Sequence, residues 1–165
     1  MRHLIDRVLE LSEEEQVKIT PSDIPPGQGN EEELKALLES LQPRIRVYGA
    51  GGAGCNAVSR LAEEGLFDSS YVTGYAINTD AQALLMSPLE EKVLIGRTAR
   101  GRGAGGDPTK GEAAALESEM VLRRITNDTQ LAIITAGMGG GSGTGAAGHI
   151  CLLYTSDAAD DLIGV

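Results

Sequence analysis

A glycine-rich stretch, Ala136 to Gly148, is the part of this chain best suited to hold an anion. Glycine tolerates positive φ and carries no Cβ, so consecutive glycines predict a concave nest of backbone N–H groups. Ser142 and Thr144 add hydroxyl donors to it. The pair Ala146 and Ala147 is expected to open a helix, whose N-terminus favours a phosphate.

The strand-like run at 131–135 leads directly into this stretch. A strand that feeds a glycine-rich loop at the start of a helix is typical of a nucleotide site in an α/β sheet. The alternative is a flexible glycine linker. We disfavour it because a linker seldom follows a buried strand directly.

Two further loops have compositions suited to phosphate. Gly49-x-Gly51-x-x-Gly54 follows a strand-like run and matches the dinucleotide fingerprint, which by itself is a weak signal. An ordinary P-loop is excluded because no Gly-Lys-Ser/Thr triplet occurs. The loop at 97–108 is basic and rich in glycine, and its arginines either attract a polyanion or are simply solvated.

These loops separate elements that alternate between strand and helix. Strands are predicted at 44–48, 72–78, 92–96 and 131–135. This order predicts an α/β fold, a Rossmann-like parallel sheet with flanking helices, in which all the loops meet at the carboxyl edge of the strands. Between the strands, one helix is predicted to bury Ala57, Val58, Leu61 and Ala62, and another, capped by Asp107, to bury Ala113, Leu116, Met120 and Ile125.

Composition narrows the class of protein. The 165 residues suffice for one domain, and their net charge of -10 argues against a nucleic-acid partner. Two cysteines make no disulfide framework and indicate a reducing cytoplasm. The uncharged span at 131–154 contains too many glycine and hydroxyl residues for a lipid-facing helix, so we predict no membrane insertion.

Residues 1–43 are predicted to form an acidic helical extension with a Pro/Gly linker at 20–29. One amphipathic helix is expected at 2–11 and a second after Asn30, its N-cap. Two interpretations stay open. The extension is either an arm that docks a partner or a pair of helices that pack on the body or stay half-ordered.

Four stretches together resemble the first four nucleotide loops of FtsZ, the prokaryotic relative of tubulin. They read GAGGAGCNAV, AINTDAQAL, GRGAGGDP and AGMGGGSGTGAA, in the order of the family. The acidic helical leader resembles that of archaeal members. The resemblance covers about residues 44–147.

The resemblance implies a cytoplasmic protein of the division site that binds GTP or GDP with Mg²⁺ and polymerises head to tail. It hydrolyses GTP at the subunit contacts, and its partners are itself and other division-ring proteins. In this chain, Asn56 is expected near base and ribose, Ala104 to Gly106 near the γ-phosphate, and Gln82 near Mg²⁺ through water. The full expected nucleotide site comprises Gly51, Gly52, Ala53, Gly54, Cys55, Asn56, Asn78, Asp80, Ala81, Gln82, Ala104, Gly105, Gly106, Gly139, Gly140, Gly141, Ser142, Gly143, Thr144 and Gly145.

The chain also departs from the family pattern. Asp107 stands where the family usually has asparagine, and we expect it to face away from the phosphates as a helix cap. From about 149 the sequence leaves the pattern and resembles translated sequencing-adaptor sequence. We therefore expect a partial GTP-binding domain at 44–148 and a non-native tail at 149–165 in a fragment of a longer protein. The family's catalytic loop, Asn-x-Asp-x-x-Asp, does not occur here, so no catalytic residue is assigned.

Two other functions stay open. A NAD-dependent oxidoreductase would use the loop at 49–54, although that class wants an acidic residue at the end of the second strand, where this chain has Asn78 and then Asp80. A filament-capping relative would bind GTP without hydrolysing it.

Overall fold

The computed structural model describes residues 31–127 and 129–163 and divides the chain into two compact units, Met1–Gln42 and Pro43–Val165. In the first unit, helix α1 (Glu31–Leu41) has three glutamates in its first turn, where they complement the positive end of the helix. It exposes Leu34, Leu38 and Leu41. The helix predicted at 2–11, the linker at 20–29 and the Asn30 cap lie outside the described residues.

The second unit alternates strands and helices, as predicted. Its elements are β1 (Ile45–Ala50), α2 (Gly51–Glu63), β2 (Val72–Asn78), α3 (Ala81–Met86), β3 (Glu91–Leu94), a short 3-10 helix (Arg97–Ala99), α4 (Pro108–Glu117), α5 (Glu119–Thr126), β4 (Leu131–Ala136) and α6 (Gly141–Ile163).

The four strands form one parallel sheet in the order β3-β2-β1-β4. β1 is central, and its last residue, Ala50, pairs with Ile77 on one side and Ala136 on the other. The carboxyl ends of these three strands are therefore level with one another. β4 lies at the edge and is only half-buried, with Leu131 and Ile133 exposed, so the expectation of a buried strand is wrong at this position.

Helices cover both faces of the sheet. Neighbouring residues of each strand point to opposite sides, so each face has its own apolar cluster. On one face, Tyr48 and Ile77 pack with Ala114, Leu122 and Ile150 of the helices α4, α5 and α6. On the other face, Val47 and Ala76 pack with residues of α2 and α3. The predicted α/β class is thus confirmed. Among the described residues, no helix combines the length and the apolar character needed to cross a membrane.

Tyr48 anchors the first face of the sheet. Its hydroxyl donates to the Ile125 carbonyl over 2.8 Å, and its ring stacks on that of Tyr75 with 5.4 Å between the centroids. Burial raises the pKa of Tyr48 to about 12, because the ionised phenolate would lose its hydration. The side chain therefore stays neutral over the whole physiological range.

Two predictions of helix burial fail in part. Ala57 is exposed, whereas Val58 is buried as expected. The predicted stripe of Ala113, Leu116 and Met120 is exposed, and the buried residues are Ala114, Ala115 and Leu122. The buried residues of α4 and α5 follow one helical periodicity, but its phase differs from the predicted one, because the close contact of Gly111 with α6 turns another face towards the core.

Helix α6 begins at Gly141, five residues before the expected start, and continues past position 148. Its buried residues Ile150 and Leu153 belong to the first core cluster. The domain boundary at 148 and the non-native origin of the tail remain predictions.

The helices α4 and α6 touch backbone to backbone at two glycines. A Cβ on Gly111 would overlap the Gly141 carbonyl oxygen, and a Cβ on Gly145 would overlap the backbone nitrogen of Glu112 and lie 2.5 Å from the Pro108 carbonyl oxygen. By contrast, a Cβ on Gly148, also in α6, has no neighbour within 4 Å. Gly145 is therefore required for packing and Gly148 is not.

We expect the substitution Gly145→Ala to lower the free energy of unfolding by about 1–3 kcal/mol, because the added methyl group forces the two helices apart. Urea denaturation followed by circular dichroism measures this change. Gly148→Ala is the matched control, and we expect it to be neutral or to stabilise the protein by up to about 1 kcal/mol through helix propensity. Equal denaturation midpoints for the two variants would contradict the packing assignment.

Candidate functional site

The N-termini of α2 and α6 lie side by side at the carboxyl edge of the sheet. α2 begins directly after β1, and α6 begins five residues after the neighbouring strand β4. Gly51 has a φ of +71°, and a Cβ on it would lie 2.5 Å from the backbone nitrogen of Gly143. A Cβ on Gly143 would lie 2.9 Å from the Ala50 carbonyl oxygen. Glycine is needed at both positions for the two helix starts to come this close.

The start of α2 has free hydrogen-bond donors. Its N-cap, Ala50, has no side chain that can accept from the first turn, and no side-chain cap is formed. The first N–H groups of a helix have no acceptor within the helix, and together with the helix dipole they favour an anion. Gly52 and Ala53, in this first turn, are exposed.

A cleft of about 340 Å³ lies between these two helix starts. No charged side chain lines it, so an anion bound there would be held mainly by backbone N–H groups and hydroxyls. A Cβ on Gly52 or Gly139 would meet no atom within 4 Å, which means that both glycines face open space. The residues lining the cleft are Gly52, Ala53, Gly137, Gly139, Gly140, Gly141, Ser142 and Gly143.

The predicted nest of positive-φ glycines is wrong. The positive-φ glycines of the described residues are 51, 65, 96, 101, 103, 105 and 106, and none belongs to the stretch at 137–145. Gly141, Gly143 and Gly145 are helical instead, because close packing against β1 and α4 overrides their poor helix propensity. The donors for an anion come from the first turns of two helices rather than from a nest.

Thr144 carries an unsatisfied polar atom near the start of α6. Its Oγ1 is buried and has no hydrogen-bond partner among the described residues. A buried hydroxyl without a partner carries an energetic cost, and such groups often point to a bound ligand, ion or water. Thr144 does not line the glycine cleft, so the fit of the cleft for phosphate groups depends on the two helix starts and on the open space at Gly52 and Gly139.

The polar residues at the end of β2 and just after it mainly shape the loop that follows this strand. Asn78 is buried, and its Oδ1 accepts from the backbone nitrogen of Asp80 over 3.2 Å. Oδ1 of Asp80 accepts from Gln82 and Ala83, so this carboxylate caps α3. Asn78, Asp80, Ala81 and the exposed Gln82 do not line the glycine cleft, and their expected contacts with phosphate or Mg²⁺ stay predictions.

The basic loop at 97–107 packs against the same edge. Gly141 lies so close to Ala104 that a Cβ on it would be 2.8 Å from the Ala104 methyl group. Gly105 and Gly106 have φ of +62° and +80° and face open space. Asp107 accepts from the backbone nitrogen of Thr109 over 3.0 Å, which confirms its predicted capping role. The arginines Arg97, Arg100 and Arg102 are exposed.

One contact was missed by sequence reasoning. The hydroxyls of Thr79 and Ser142 are 2.6 Å apart and buried, and they join the loop after β2 to the first turn of α6. Thr79 stands between Asn78 and Asp80, so in the sequence it is indistinguishable from an ordinary turn residue. A pairing between positions 63 residues apart has no local signal.

The remaining predicted residues, Gly54, Cys55 and Asn56, do not line the glycine cleft. A second cleft of about 340 Å³ runs between α2 and α3, and Gly52 and Asn56 both line it. The Cys55 thiol is buried below, within 3.4 Å of the Gly49 carbonyl oxygen and 3.5 Å of that of Ile77. Gly54 is buried, and a Cβ there would overlap the Thr135 carbonyl oxygen. Glycine at this position therefore allows α2 to pack closely on β4. The contact of Asn56 with base or ribose stays a prediction.

Metal ligands are scarce at this edge. No group of three His, Cys, Asp or Glu side chains that could hold a metal ion occurs within 31–127 and 129–163.

The parallel sheet with helices on both faces defines the class as an α/β protein, and two adjacent helix starts at its carboxyl edge are suited to an anion. Residues 44–162 match the family model described as "Tubulin/FtsZ family, GTPase domain". The chain therefore belongs to the tubulin/FtsZ family, and the predicted resemblance to archaeal FtsZ proteins is confirmed.

Relatives named "Cell division protein FtsZ 1" include those of Pyrococcus horikoshii, 43% identical over 148 residues, and Methanocaldococcus jannaschii, 38% identical over 148 residues. Each alignment covers 89% of this chain, but only 39% and 38% of the respective relative. The chain thus spans about two-fifths of the length of the curated relatives it matches.

Solved structures of the family agree with the fold. The structure described as "FtsZ dimer, empty (M. jannaschii)" superposes with a TM-score of 0.69 at 38% identity, covering 84% of this chain and 38% of that one. A GTPγS-bound protofilament of CetZ2 from Haloferax volcanii gives a TM-score of 0.56 at 26% identity, covering 65% of this chain and 34% of that one.

We expect Cys55 to react with N-ethylmaleimide at least about tenfold more slowly than Cys151, because burial hides the Cys55 thiol and raises its pKa, whereas Cys151 is exposed. Mass spectrometry of peptides from timed samples measures both rates in one protein. In urea the two cysteines should react alike, which is the internal control. Equal rates in the native protein would show that the start of α2 opens readily.

Proposed function

We propose that this chain binds GTP or GDP, with the phosphate groups over the N-termini of α2 and α6. The observation that carries the proposal is the glycine-walled cleft between two adjacent helix starts. A polyphosphate carries several negative charges, and this cleft offers backbone donors from two helices together with the hydroxyl of Ser142.

Mg²⁺ is the expected companion of the bound phosphates. Because the described residues offer no cluster of acidic side chains, the cation would be held chiefly by phosphate oxygens and water, with Gln82 as the side chain proposed to approach it through water. When bound, Mg²⁺ neutralises charge on the phosphates. The chain itself contributes positioning and backbone N–H groups that stabilise negative charge.

For the whole protein we propose a cytoskeletal GTPase of cell division that polymerises head to tail in the cytoplasm, at the division site, and acts with other division-ring proteins. Support comes from the relatives named as cell division proteins and from the family structures described as a dimer and as a protofilament. Hydrolysis is proposed to occur at the contact between subunits.

The NAD-dependent oxidoreductase is the less favoured alternative. That class needs a carboxylate at the end of the second strand to bind the ribose hydroxyls, whereas this position is Asn78, and Asp80 lies in the loop, where its Oδ1 accepts two backbone N–H groups as the cap of α3. Competition between NAD and labelled GTP for the chain separates the two functions, and displacement of GTP by micromolar NAD would favour the oxidoreductase.

We expect the substitution Gly52→Val to weaken GTP binding at least about tenfold while leaving the thermal unfolding temperature nearly unchanged, because the side chain enters open space that the phosphates would occupy. Isothermal titration calorimetry measures the affinity. Ala57→Val is the matched control, since Ala57 is exposed on the same helix and does not line either cleft. Gly143 and Gly145 are unsuitable for this test because substitutions there disrupt packing. Undiminished binding by Gly52→Val would overturn the proposed site.

We expect the 165-residue chain alone to release no phosphate from GTP above background, because the Asn-x-Asp-x-x-Asp pattern of the family does not occur in it. A malachite-green assay with Mg²⁺ measures release. If the unaltered chain and the Gly52→Val variant release phosphate equally fast, a contaminating enzyme is the source. Turnover that the variant abolishes would show that these residues hydrolyse GTP without the catalytic loop.

A further inference from the structure

The hydroxyl pair Thr79 and Ser142 is buried at the point where three loops of the carboxyl edge meet. Thr79 is fully buried and Ser142 is 9% exposed. Of the two, only Ser142 lines the glycine cleft. Thr79 therefore cannot touch a ligand in that cleft, but it does touch a residue that can.

The two hydroxyls of this pair have one proton more than their mutual hydrogen bond uses. Two hydroxyls carry two protons, and the hydrogen bond of 2.6 Å between them uses one. Within the described part of the chain, the structure gives neither hydroxyl a second partner. When Thr79 donates to Ser142, the Ser142 proton is free to donate to an acceptor in the cleft.

The backbone of Thr79 fixes this arrangement. Its carbonyl oxygen accepts from the Gly103 nitrogen over 3.1 Å, and the next loop contact runs from the Ala81 nitrogen to the Gly101 carbonyl oxygen over 3.1 Å. The loop at 101–106, with its open glycines Gly105 and Gly106, is thereby tied to the same residue that contacts Ser142.

We infer that Thr79 is a positioning residue for the bound polyphosphate: its hydroxyl donates to Ser142 and so directs the Ser142 proton onto a phosphate oxygen. This inference rests on the proposed nucleotide site. Thr79 touches no phosphate and acts only through Ser142.

The test compares GTP and GDP affinities of the full chain and its variants by isothermal titration calorimetry with Mg²⁺. Thr79→Val keeps the shape of the side chain but removes the hydroxyl. We expect both nucleotides to bind about tenfold more weakly, because Ser142 is then no longer directed to donate to a phosphate oxygen, and one hydrogen bond to a charged group is worth about this factor. Thr79→Ser restores the hydroxyl and is expected to recover affinity to within about threefold of the unaltered chain.

Thr126→Val is the matched control for a merely structural effect. Thr126 is also fully buried, and its hydroxyl donates to the Leu122 carbonyl over 3.1 Å in α5, away from the cleft. We expect its removal to alter thermal unfolding, as Thr79→Val does, and to leave nucleotide affinity unchanged. An equal loss of affinity in both variants would overturn the inference, because general destabilisation would then explain it.

A double variant tests whether Thr79 acts through Ser142. If it does, Thr79→Val adds no further loss to Ser142→Ala, so the two effects are strongly non-additive. Additive losses would overturn the inference while leaving the nucleotide site intact, as would normal affinity in Thr79→Val. Failure of the unaltered chain to bind GTP would overturn the proposed function itself, and the inference with it.

Discussion

The close approach of two helix starts, at Gly51 and Gly143, is the constraint on which the rest of this edge depends. β1 and β4 are neighbours and end level with each other, so the helices that follow them both begin at the carboxyl edge of the sheet. A Cβ on Gly51 would overlap the first turn of α6, and a Cβ on Gly143 would crowd the Ala50 carbonyl oxygen at the end of β1. The missing side chains let two sets of backbone donors converge on one cleft.

Glycines at this edge have three separate structural roles. Gly51 adopts a positive φ, and Gly111 and Gly145 allow backbone contact between α4 and α6. Gly52 and Gly139 leave open space beside the donors. A glycine-rich stretch is therefore not one functional unit, and only the last group is suited to direct contact with a ligand. This division also determines which substitutions can separate binding from folding.

The loops of this edge are shaped by carboxylate caps near the surface and joined by one buried pair of hydroxyls. Asp80 caps α3, Asp107 caps α4, and the Thr79 and Ser142 hydroxyls join two loops across the sheet edge. Because the cleft itself has no charged side chain, its preference for an anion comes from oriented backbone dipoles.

Local patterns and motifs in the amino-acid sequence were enough to predict the order of strands and helices, the carboxyl-edge location of the glycine loops, the Asp107 cap and the family. Tertiary structure alone decided that the stretch at 137–145 forms a helix start instead of a nest, since packing on β1 and α4 outweighs the propensity of glycine. It also decided which face of α4 and α5 is buried, and it paired Thr79 with Ser142. Contacts between residues distant in the chain leave no periodic signal, so only the folded protein reveals them.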